Sequence, residues 1–436
     1  MERKAEHQLL QWKDSRNRKP LLIYGARQVG KTWLMKKLGE KVFENTLYVN
    51  FEKEILLRGI FEQDYEPKRI VKLLETYFNQ SVTPGKTLVI LDEIQEAKGG
   101  LTSLKYFKEE MQELHLIGAG SLLGIALEKE TSFPVGQVSF LNLYPMDFSE
   151  FLIALGHKNM VRAIEEQDWL LLKHLRNTLM TLLKQYFFVG GMPEAVLAFS
   201  ETENYQEVKE IQLAILQAYE QDFSKHAPTE IIPRIRMVWN SVVSQLAKEN
   251  KKFIYGILKE GARAKEFEQA IHWLENYGLI YRVYRSKKAH FPLAAYADLQ
   301  AFKVYTLDVG LLSALGNLSS QTLIENERMF TEFKGALTEQ FVLQEFKSMG
   351  LRQLFYWAND SGSAEVDFML EKENKLFPIE VKSGENLQSK SLKTFAQKYP
   401  ETHCFRASLS DYRKEAWMTN IPIYGVTQIL FDANPS

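Results

Sequence analysis

One stretch near the start of the chain most constrains the fold. The apolar run at residues 20–24 has the length of a short strand, and the glycine-rich loop GARQVGKT follows it directly at residues 25–32. The pattern WLMKKL after this loop is helical. Strand, loop and helix in this order are typical of a phosphate-binding loop, because glycines turn backbone N–H groups towards phosphates and the helix N-terminus adds positive charge. We therefore expect a parallel α/β sheet that binds a nucleotide at the carboxyl ends of its strands.

The residues of this loop have separate predicted roles. Lys31 is expected to reach the β and γ phosphates, and the Thr32 hydroxyl is expected to bind Mg2+, a cation that prefers oxygen ligands. The rest of the loop backbone is expected to surround the phosphates: Gly25, Ala26, Arg27, Gln28, Val29 and Gly30.

Two further strand ends carry polar residues that fit the same chemistry. The apolar strand at residues 87–92 ends in Asp92 and Glu93. We expect Asp92 to hold Mg2+ through its water shell, and Glu93 to polarise the attacking water. A strand at residues 114–117 leads to Ser121, a candidate sensor of the γ phosphate, although an ordinary turn before a helix at 122–127 is the alternative. Another strand at residues 47–52 continues the strand and helix alternation of a parallel sheet.

Composition excludes several classes of protein. The 436 residues suggest about three domains, and 45% hydrophobic with 25% charged residues is typical of a folded soluble chain. Lys and Arg number 54 against 55 Asp and Glu, so the net charge of −1 gives no argument for nucleic acid or membrane binding by the whole chain. One cysteine, Cys404, excludes an intrachain disulfide, and the eight histidines show no metal-ligand spacing. Without a signal sequence or a long apolar run, we expect a cytoplasmic protein with no membrane partner.

The middle of the chain is predicted to be helical from about residue 148 to residue 225. Three further helical segments and a strand between residues 233 and 286 suggest a winged helix, a fold in which the third helix would lie in a DNA major groove and the wing would touch phosphate. Acidic residues on its third helix, Glu266, Glu268 and Glu275, leave a protein-packing module as the alternative. The predicted phosphate contacts are Arg263, Lys265, Arg282, Arg285, Lys287 and Lys288.

The C-terminal region contains an acid on one strand, Asp367, and a Glu-x-Lys pattern on the next, Glu380 and Lys382. This pattern resembles the core of the PD-(D/E)xK nucleases. In such a site Asp367 and Glu380 would converge on a second Mg2+ or Mn2+, with Lys382 orienting water and Glu339 from the preceding helix completing the metal shell. An ordinary charged edge strand is the alternative. Predicted nucleic-acid neighbours are Arg352, Tyr356, Trp357, Lys390 and Lys393, with a core position as the alternative for Trp357.

Several longer phrases resemble bacterial and archaeal AAA-type ATPases that carry a C-terminal DUF4143 domain. The resemblance covers nearly the whole chain and implies ATP binding and hydrolysis. The phrases are GARQVGKT, LDEIQ at 91–95, GSLLG at 120–124, LYPMDFSEFL at 143–152, GGMPEAV at 190–196, DFSKHA at 222–227, FKVYTLDVGLL at 302–312, and EVDF and IEVKSG near the C-terminus.

The expected fold is α/β: a P-loop NTPase parallel sheet with a helical lid, a winged-helix-like middle domain and a restriction-endonuclease-like α/β C-terminal domain. The expected boundaries are 1–147 for the ATPase core, 148–230 for the lid, 231–330 for the winged-helix-like domain and 331–436 for the DUF4143 domain. Many relatives carry an arginine where this chain reads FPVGQV at 133–138. An arginine finger therefore stays unassigned among Arg27, Arg162 and Arg234, and an oligomer stays open.

Three functions are compatible with these patterns. The leading hypothesis is a Mg2+-dependent ATPase whose nucleotide state controls a DNA-binding, nuclease-like C-terminal region. The alternative is a nucleotide-dependent signalling or scaffold switch, whose catalytically silent nuclease-fold domain binds a protein partner. A passive DNA-binding module with vestigial motifs is disfavoured because Lys31, Thr32, Asp92 and Glu93 are all intact.

Overall fold

A computed structural model describes residues 1–125, 136–248, 251–324, 331–359, 361–384 and 389–431. The expected end of a helix at residue 127 and the start of the segment 133–138 lie outside these residues. Contacts group the chain into two compact units: the N-terminal unit, residues 2–144 and 276–278, and the C-terminal unit, residues 1, 145–275 and 279–436. The four-domain division expected from the sequence stays a prediction.

The N-terminal unit is built on a parallel sheet of five strands in the order β2-β3-β4-β1-β5. Its strands are β1 (Leu21–Tyr24), β2 (Asn45–Asn50), β3 (Thr87–Asp92), β4 (His115–Gly120) and β5 (Ser139–Asn142). Its helices are α1 (Ala5–Lys13), α2 (Lys31–Val42), α3 (Pro67–Phe78) and α4 (Gly100–Glu110), with 3-10 turns at Ile55–Leu57 and Ile94–Glu96. This arrangement is the parallel α/β fold that the glycine-rich loop predicted.

Burial explains why the central strands of this sheet form where they do. A parallel sheet is covered on both faces, so its inner strands need apolar residues at successive positions rather than at alternate ones. Every residue of β3 is buried, including Thr87 and Asp92 at its two ends. The apolar side of α3, with Ile70, Val71 and Leu74, belongs to the same core.

The C-terminal unit combines helices with a mixed sheet of eight strands in the order β12-β13-β11-β10-β9-β8-β6-β7. Its helices are α5 (Phe148–Ala154), α6 (Lys158–Glu165), α7 (Trp169–His174), α8 (Arg176–Val189), α9 (Pro193–Thr202), α10 (Tyr205–His226), α11 (Ile232–Leu246), α12 (Ala264–Asn276, its last residue assigned to the N-terminal unit), α13 (Val309–Leu315), α14 (Ser320–Ile324), α15 (Thr331–Ser348) and α16 (Lys390–Lys398). Its strands are β6 (Ile280–Ser286), β7 (Ala297–Thr306), β8 (Phe355–Ala358), β9 (Glu365–Lys372), β10 (Lys375–Lys382), β11 (Cys404–Ser408), β12 (Arg413–Lys414) and β13 (Met418–Pro422). The 3-10 turns lie at Thr229–Ile231, Tyr255–Ile257, Leu293–Tyr296 and Ile423–Leu430.

The region expected to be a winged helix joins this mixed sheet. Strand β6 pairs antiparallel with β7 and parallel with β8, where Tyr284 lies opposite Phe355. The hairpin and the strands of the nuclease-like region therefore form one continuous sheet. Of the three expected helices, the first and third correspond to α11 and α12, whereas the second is only the 3-10 turn Tyr255–Ile257.

Buried polar contacts hold α15 against the helices that we expected to form a lid. The Gln344 amide donates to the Tyr186 hydroxyl at 2.8 Å and to Asp308 Oδ2 at 3.0 Å. Asp308 Oδ2 also accepts from the Gly191 amide at 2.6 Å, and Glu345 Oε1 accepts from the Phe148 amide at 2.8 Å. These bonds join α5, the loop after α8, α13 and α15 within one unit, because unpaired polar groups in such a core would be costly.

Removal of the Asp308 carboxylate is expected to destabilise the C-terminal unit strongly. Asp308→Ala leaves the amides of Gly191 and Leu311 and the Gln344 side chain without this acceptor. The expected loss is about 3–5 kcal/mol in the free energy of unfolding. Asp168, which caps the short helix α7 in an exposed setting, provides the control, and Asp168→Ala should cost about 1 kcal/mol. If urea denaturation gave the same decrease in the free energy of unfolding for both variants, the structural role of Asp308 would be contradicted.

Stability at acidic pH is expected to depend on His115 in the N-terminal unit. Burial, with Arg18 nearby, lowers the pKa of His115 to about 4 from an ordinary value of 6.5, and its ring lies edge-on to Trp12 and Phe43. The unfolded chain therefore takes up a proton that the folded chain refuses, so stability falls as the pH drops from about 6.5 towards about 4. The Tm of His115→Phe should fall less than that of the wild type over this range. His7→Phe, an exposed histidine on α1, is the control, and parallel curves for wild type and His115→Phe would refute the prediction.

Candidate functional site

The register of the parallel sheet brings three predicted strand ends to one edge. Tyr24 at the end of β1 lies opposite Gly120 at the end of β4, and Asp92 at the end of β3 lies opposite Ala119. The glycine-rich loop, the acidic pair and Ser121 follow these positions directly. Residues separated by up to about a hundred positions along the chain therefore meet at the edge where α/β folds bind their ligands.

The loop between β1 and α2 has the backbone geometry of an anion site. Gly30 adopts φ 94° as α2 begins at Lys31, and as the N-cap residue it has no side chain to cap the amides of the first turn. Such amides and the helix dipole favour a bound anion. At Gly25, a Cβ atom would lie 2.2 Å from the Leu143 carbonyl oxygen, so only glycine fits there.

Lys31 lies buried inside this loop. Its Nζ donates to the carbonyl oxygens of Gly25 and Ala26, each at 2.8 Å. Burial lowers the pKa of Lys31 to about 8, although the charges of Glu93 and Asp92 oppose that shift. A buried ammonium that has only neutral carbonyl acceptors would gain strongly from a negative group placed next to it.

Thr32 and Asp92 form a pair of oxygen ligands. The Thr32 hydroxyl donates to Asp92 Oδ2 at 2.8 Å, and the Tyr48 hydroxyl donates to the same oxygen at 2.8 Å. Burial raises the pKa of the Asp92 carboxyl, and the two hydroxyl donors partly offset that effect. A hydroxyl and a carboxylate that face each other fit the oxygen preference of Mg2+.

Glu93 and Ser121, which the sequence singled out separately, contact each other. Glu93 Oε2 accepts from the Ser121 amide at 3.1 Å and from the Ser121 hydroxyl at 3.2 Å. The Gln95 amide donates to the same oxygen at 2.6 Å. Glu93 itself has φ 51°, a left-handed conformation that is uncommon for a residue other than glycine. Backbone and neighbours together fix the position of this carboxylate beside Asp92.

Sequence reasoning missed three residues that support this edge. Tyr48 lies near the end of β2, and Gln95 stands in the phrase LDEIQ, where we assigned it no role. Arg3, before α1, donates to the Val29 carbonyl at 3.0 Å and to the Tyr144 carbonyl at 2.7 Å. The motif LDEIQ could have indicated a role for Gln95. No local pattern indicated one for Arg3, because its partner Val29 lies 26 positions away.

The structure brings together two of the four residues of the predicted nuclease-like site. Glu339 on α15 and Asp367 on β9 each lie 3.7 Å from the buried Lys303 Nζ. Burial and the charge of Glu339 raise the pKa of Asp367 to about 7. Burial alone would raise the pKa of Glu339, but Lys251 and Lys303 hold it at about 2.

Glu380 and Lys382 have different neighbours. Glu380 Oε1 lies 2.7 Å from Lys382 Nζ, and the charge of Glu380 acts on Cys404 and Arg406. Within the described ranges, no group of three or more His, Cys, Asp or Glu side chains is placed to hold a metal ion. The predicted convergence of Asp367 and Glu380 on a second cation stays a prediction.

The residues predicted to contact nucleic acid fall into three groups: some form ion pairs within the protein, some are buried and some are exposed. Arg282 binds Glu275 with two nitrogens, at 2.8 and 2.6 Å, and Glu268 at 2.5 Å, while Arg285 pairs with Asp298 at 3.2 Å. Tyr356 and Trp357 are buried, so the expected contact of Tyr356 with a nucleic acid is wrong and Trp357 is a core residue. The exposed members are Arg263, Lys265, Lys287, Lys288, Arg352, Lys390 and Lys393.

Among the helices that the structure describes, none is both long and apolar enough to cross a membrane.

Comparison with known proteins identifies three domains in the chain. An AAA domain matches residues 17–152, and a domain of unknown function, DUF4143, matches residues 334–425. Another domain of unknown function, DUF8612, matches residues 180–322, across the boundary that we expected at 230. No curated protein matches the chain significantly.

Three solved structures are similar over most of their length. The Walker-type ATPase paby2304 of Pyrococcus abyssi is 13% identical, with a TM-score of 0.46, 72% of this chain covered and 95% of that one. The Aeropyrum pernix ORC1 protein in complex with DNA is 12% identical, with a TM-score of 0.27 and coverages of 73% and 93%. Drosophila ORC bound to DNA is 14% identical, with a TM-score of 0.25 and coverages of 71% and 93%.

The glycine-rich loop, the acidic strand end and the domain matches agree with one another. The chain therefore carries an AAA domain and, further along, a DUF4143 domain.

Proposed function

We propose that this protein binds ATP with Mg2+ at the edge of the parallel sheet and hydrolyses it. The observation that carries the proposal is the meeting of Thr32, Asp92, Glu93 and Ser121 through direct hydrogen bonds at one strand edge. Each of these residues has a side chain suited to a separate requirement of phosphoryl transfer.

The loop residues would bind the phosphates. Lys31 would exchange the carbonyl oxygens of Gly25 and Ala26 for phosphate oxygens, because an anion stabilises a buried ammonium better than neutral carbonyls do. The uncapped amides at the start of α2 would donate to the same group.

The acidic strand end would bind the metal and position the water. Thr32 would ligate Mg2+ directly and Asp92 would do so through water, while the metal, when bound, would neutralise charge on the phosphates. Glu93 would accept a hydrogen bond from the attacking water with the carboxylate that Ser121 and Gln95 hold in place. Ser121 would sense the γ phosphate through this shared contact.

Nucleotide state is proposed to control the C-terminal unit, and DNA is the partner that a specific observation favours. Arg282 forms ion pairs with Glu268 and Glu275, so two of the three acidic side chains on α12 that argued against DNA contact are neutralised. The exposed Arg263, Lys265, Lys287 and Lys288 then leave this region with excess positive charge towards solvent. Contacts of this kind fix position on phosphates rather than read sequence.

Substitution of Glu93 tests the hydrolysis. Glu93→Gln keeps the size of the side chain but removes the base, so kcat for ATP should fall by about a hundredfold or more while ATP binding persists. Lys31→Ala should instead lose ATP binding. Glu96→Gln makes the same chemical change three positions away, on a glutamate that pairs with Arg58, and should leave kcat unchanged. Wild-type turnover in Glu93→Gln would refute the assignment of the base.

The salt dependence of DNA binding tests the second part. Two phosphate contacts contribute about two to the slope of log affinity against log salt. The double variant Lys287→Glu/Lys288→Glu should therefore lose about that much slope in a titration of fluorescent duplex DNA. Lys414→Glu, on the strand at the opposite end of the sheet from β7, is the control. If no DNA binds at low salt with or without ATP, the protein-partner alternative replaces the DNA proposal.

A further inference from the structure

The clearest unassigned feature of the C-terminal unit is a buried lysine among three carboxylates. Lys303 lies on β7, and its side chain is 1% exposed. Its Nζ atom lies 2.6 Å from Glu365 Oε1, 3.7 Å from Glu339 Oε2 and 3.7 Å from Asp367 Oδ1. The ammonium also faces the Tyr356 ring, 5.1 Å from its centroid. The three carboxylates thus surround one positive charge.

Glu339 and Asp367 have further partners of their own. Lys251 forms a short ion pair with Glu339 Oε1, and the Tyr305 hydroxyl donates to Glu339 Oε2 at 2.9 Å. The Val381 amide donates to Asp367 Oδ2 at 2.8 Å. Donors from β7, from the segment after α11 and from β10 therefore satisfy acids that the sequence assigned to a metal.

These partners do not fit a bound divalent cation. A metal held by Glu339 and Asp367 would place its charge within a few ångströms of the Lys303 ammonium, in a site with almost no solvent to screen the repulsion. Lys251 and Lys303 already balance two of the three negative charges that Glu339, Glu365 and Asp367 can carry. The electrostatic attraction for a divalent cation is therefore weak. Glu380, which was expected to converge with Asp367 on this metal, has its Oε1 atom 2.7 Å from Lys382 Nζ.

We propose that the Lys303 ammonium takes the place of the catalytic metal in the nuclease-like site, so that the C-terminal unit does not cleave DNA by a metal-dependent reaction. The cluster is then an internal ion-pair network that joins the β6–β7 hairpin to α15 and β9. This inference does not depend on ATP hydrolysis.

Mn2+ binding to the full-length protein, followed by electron paramagnetic resonance, tests the proposal. All proteins carry Asp92→Asn, which removes the acid of the N-terminal site. We expect no Mn2+ site that depends on Asp367 in this background. Adding Lys303→Met should create one Mn2+ site per chain, because it removes the competing charge and leaves the carboxylates. Adding Asp367→Asn to that variant should abolish the new site.

Lys303→Arg is the matched control, since it keeps the positive charge and should gain no Mn2+ site. A folded Lys303→Met protein without added Mn2+ binding would overturn the proposal. If Lys303→Met does not fold, Mn2+ titrations of Asp92→Asn and of Asp92→Asn/Asp367→Asn still test whether Asp367 binds a metal. Identical Mn2+ titrations support the closed site, and a Mn2+ site lost with Asp367→Asn contradicts it.

Discussion

The function of the N-terminal unit depends on the parallel register of β1, β4 and β3. This register places the ends of three strands side by side, so that Thr32, the adjacent pair Asp92 and Glu93, and Ser121 meet although they lie far apart in the sequence. Side chains that contact one another at a sheet edge hold their positions without a long loop to support them. The hydrogen bond from Thr32 to Asp92 and those from Ser121 to Glu93 are direct results of this alignment.

Two buried lysines, Lys31 in the N-terminal unit and Lys303 in the C-terminal unit, have different electrostatic surroundings. Lys31 has carbonyl oxygens as its hydrogen-bond acceptors, and burial lowers its pKa to about 8. Lys303 is also buried, but nearby Tyr305 and three carboxylates outweigh the effect of burial and raise its pKa well above the ordinary value. The first environment leaves positive charge poorly compensated and so favours an incoming anion, whereas the second is already compensated. Buried lysines in the two units therefore have pKa values shifted in opposite directions by their surroundings.

Local patterns predicted most of the residues that meet at the N-terminal strand edge and little of the arrangement around the C-terminal acids. The loop, the acidic strand end and Ser121 each lie within a few residues of a strand end, so short-range rules of strand, turn and helix were enough to find them. Tyr48 and Arg3 escaped because their partners, Asp92 and Val29, lie 44 and 26 positions away. The pairing of β6 with β8 escaped for the same reason, since nothing local in residues 280–286 indicates a partner beyond residue 350.

The C-terminal acids show why a sequence motif alone does not define the chemistry of a site. Spacing on neighbouring strands predicts that Asp367 and Glu380 lie close in the sheet. It does not predict which charged side chains from elsewhere in the chain contact them. The ammonium that faces Asp367 comes from Lys303, 64 positions earlier. A set of buried carboxylates is stable either with a metal or with basic side chains, because both supply the missing positive charge. The positions of Lys303 and Lys251 distinguish the two cases, and they are the basis for our proposal of an ion-pair core without a metal.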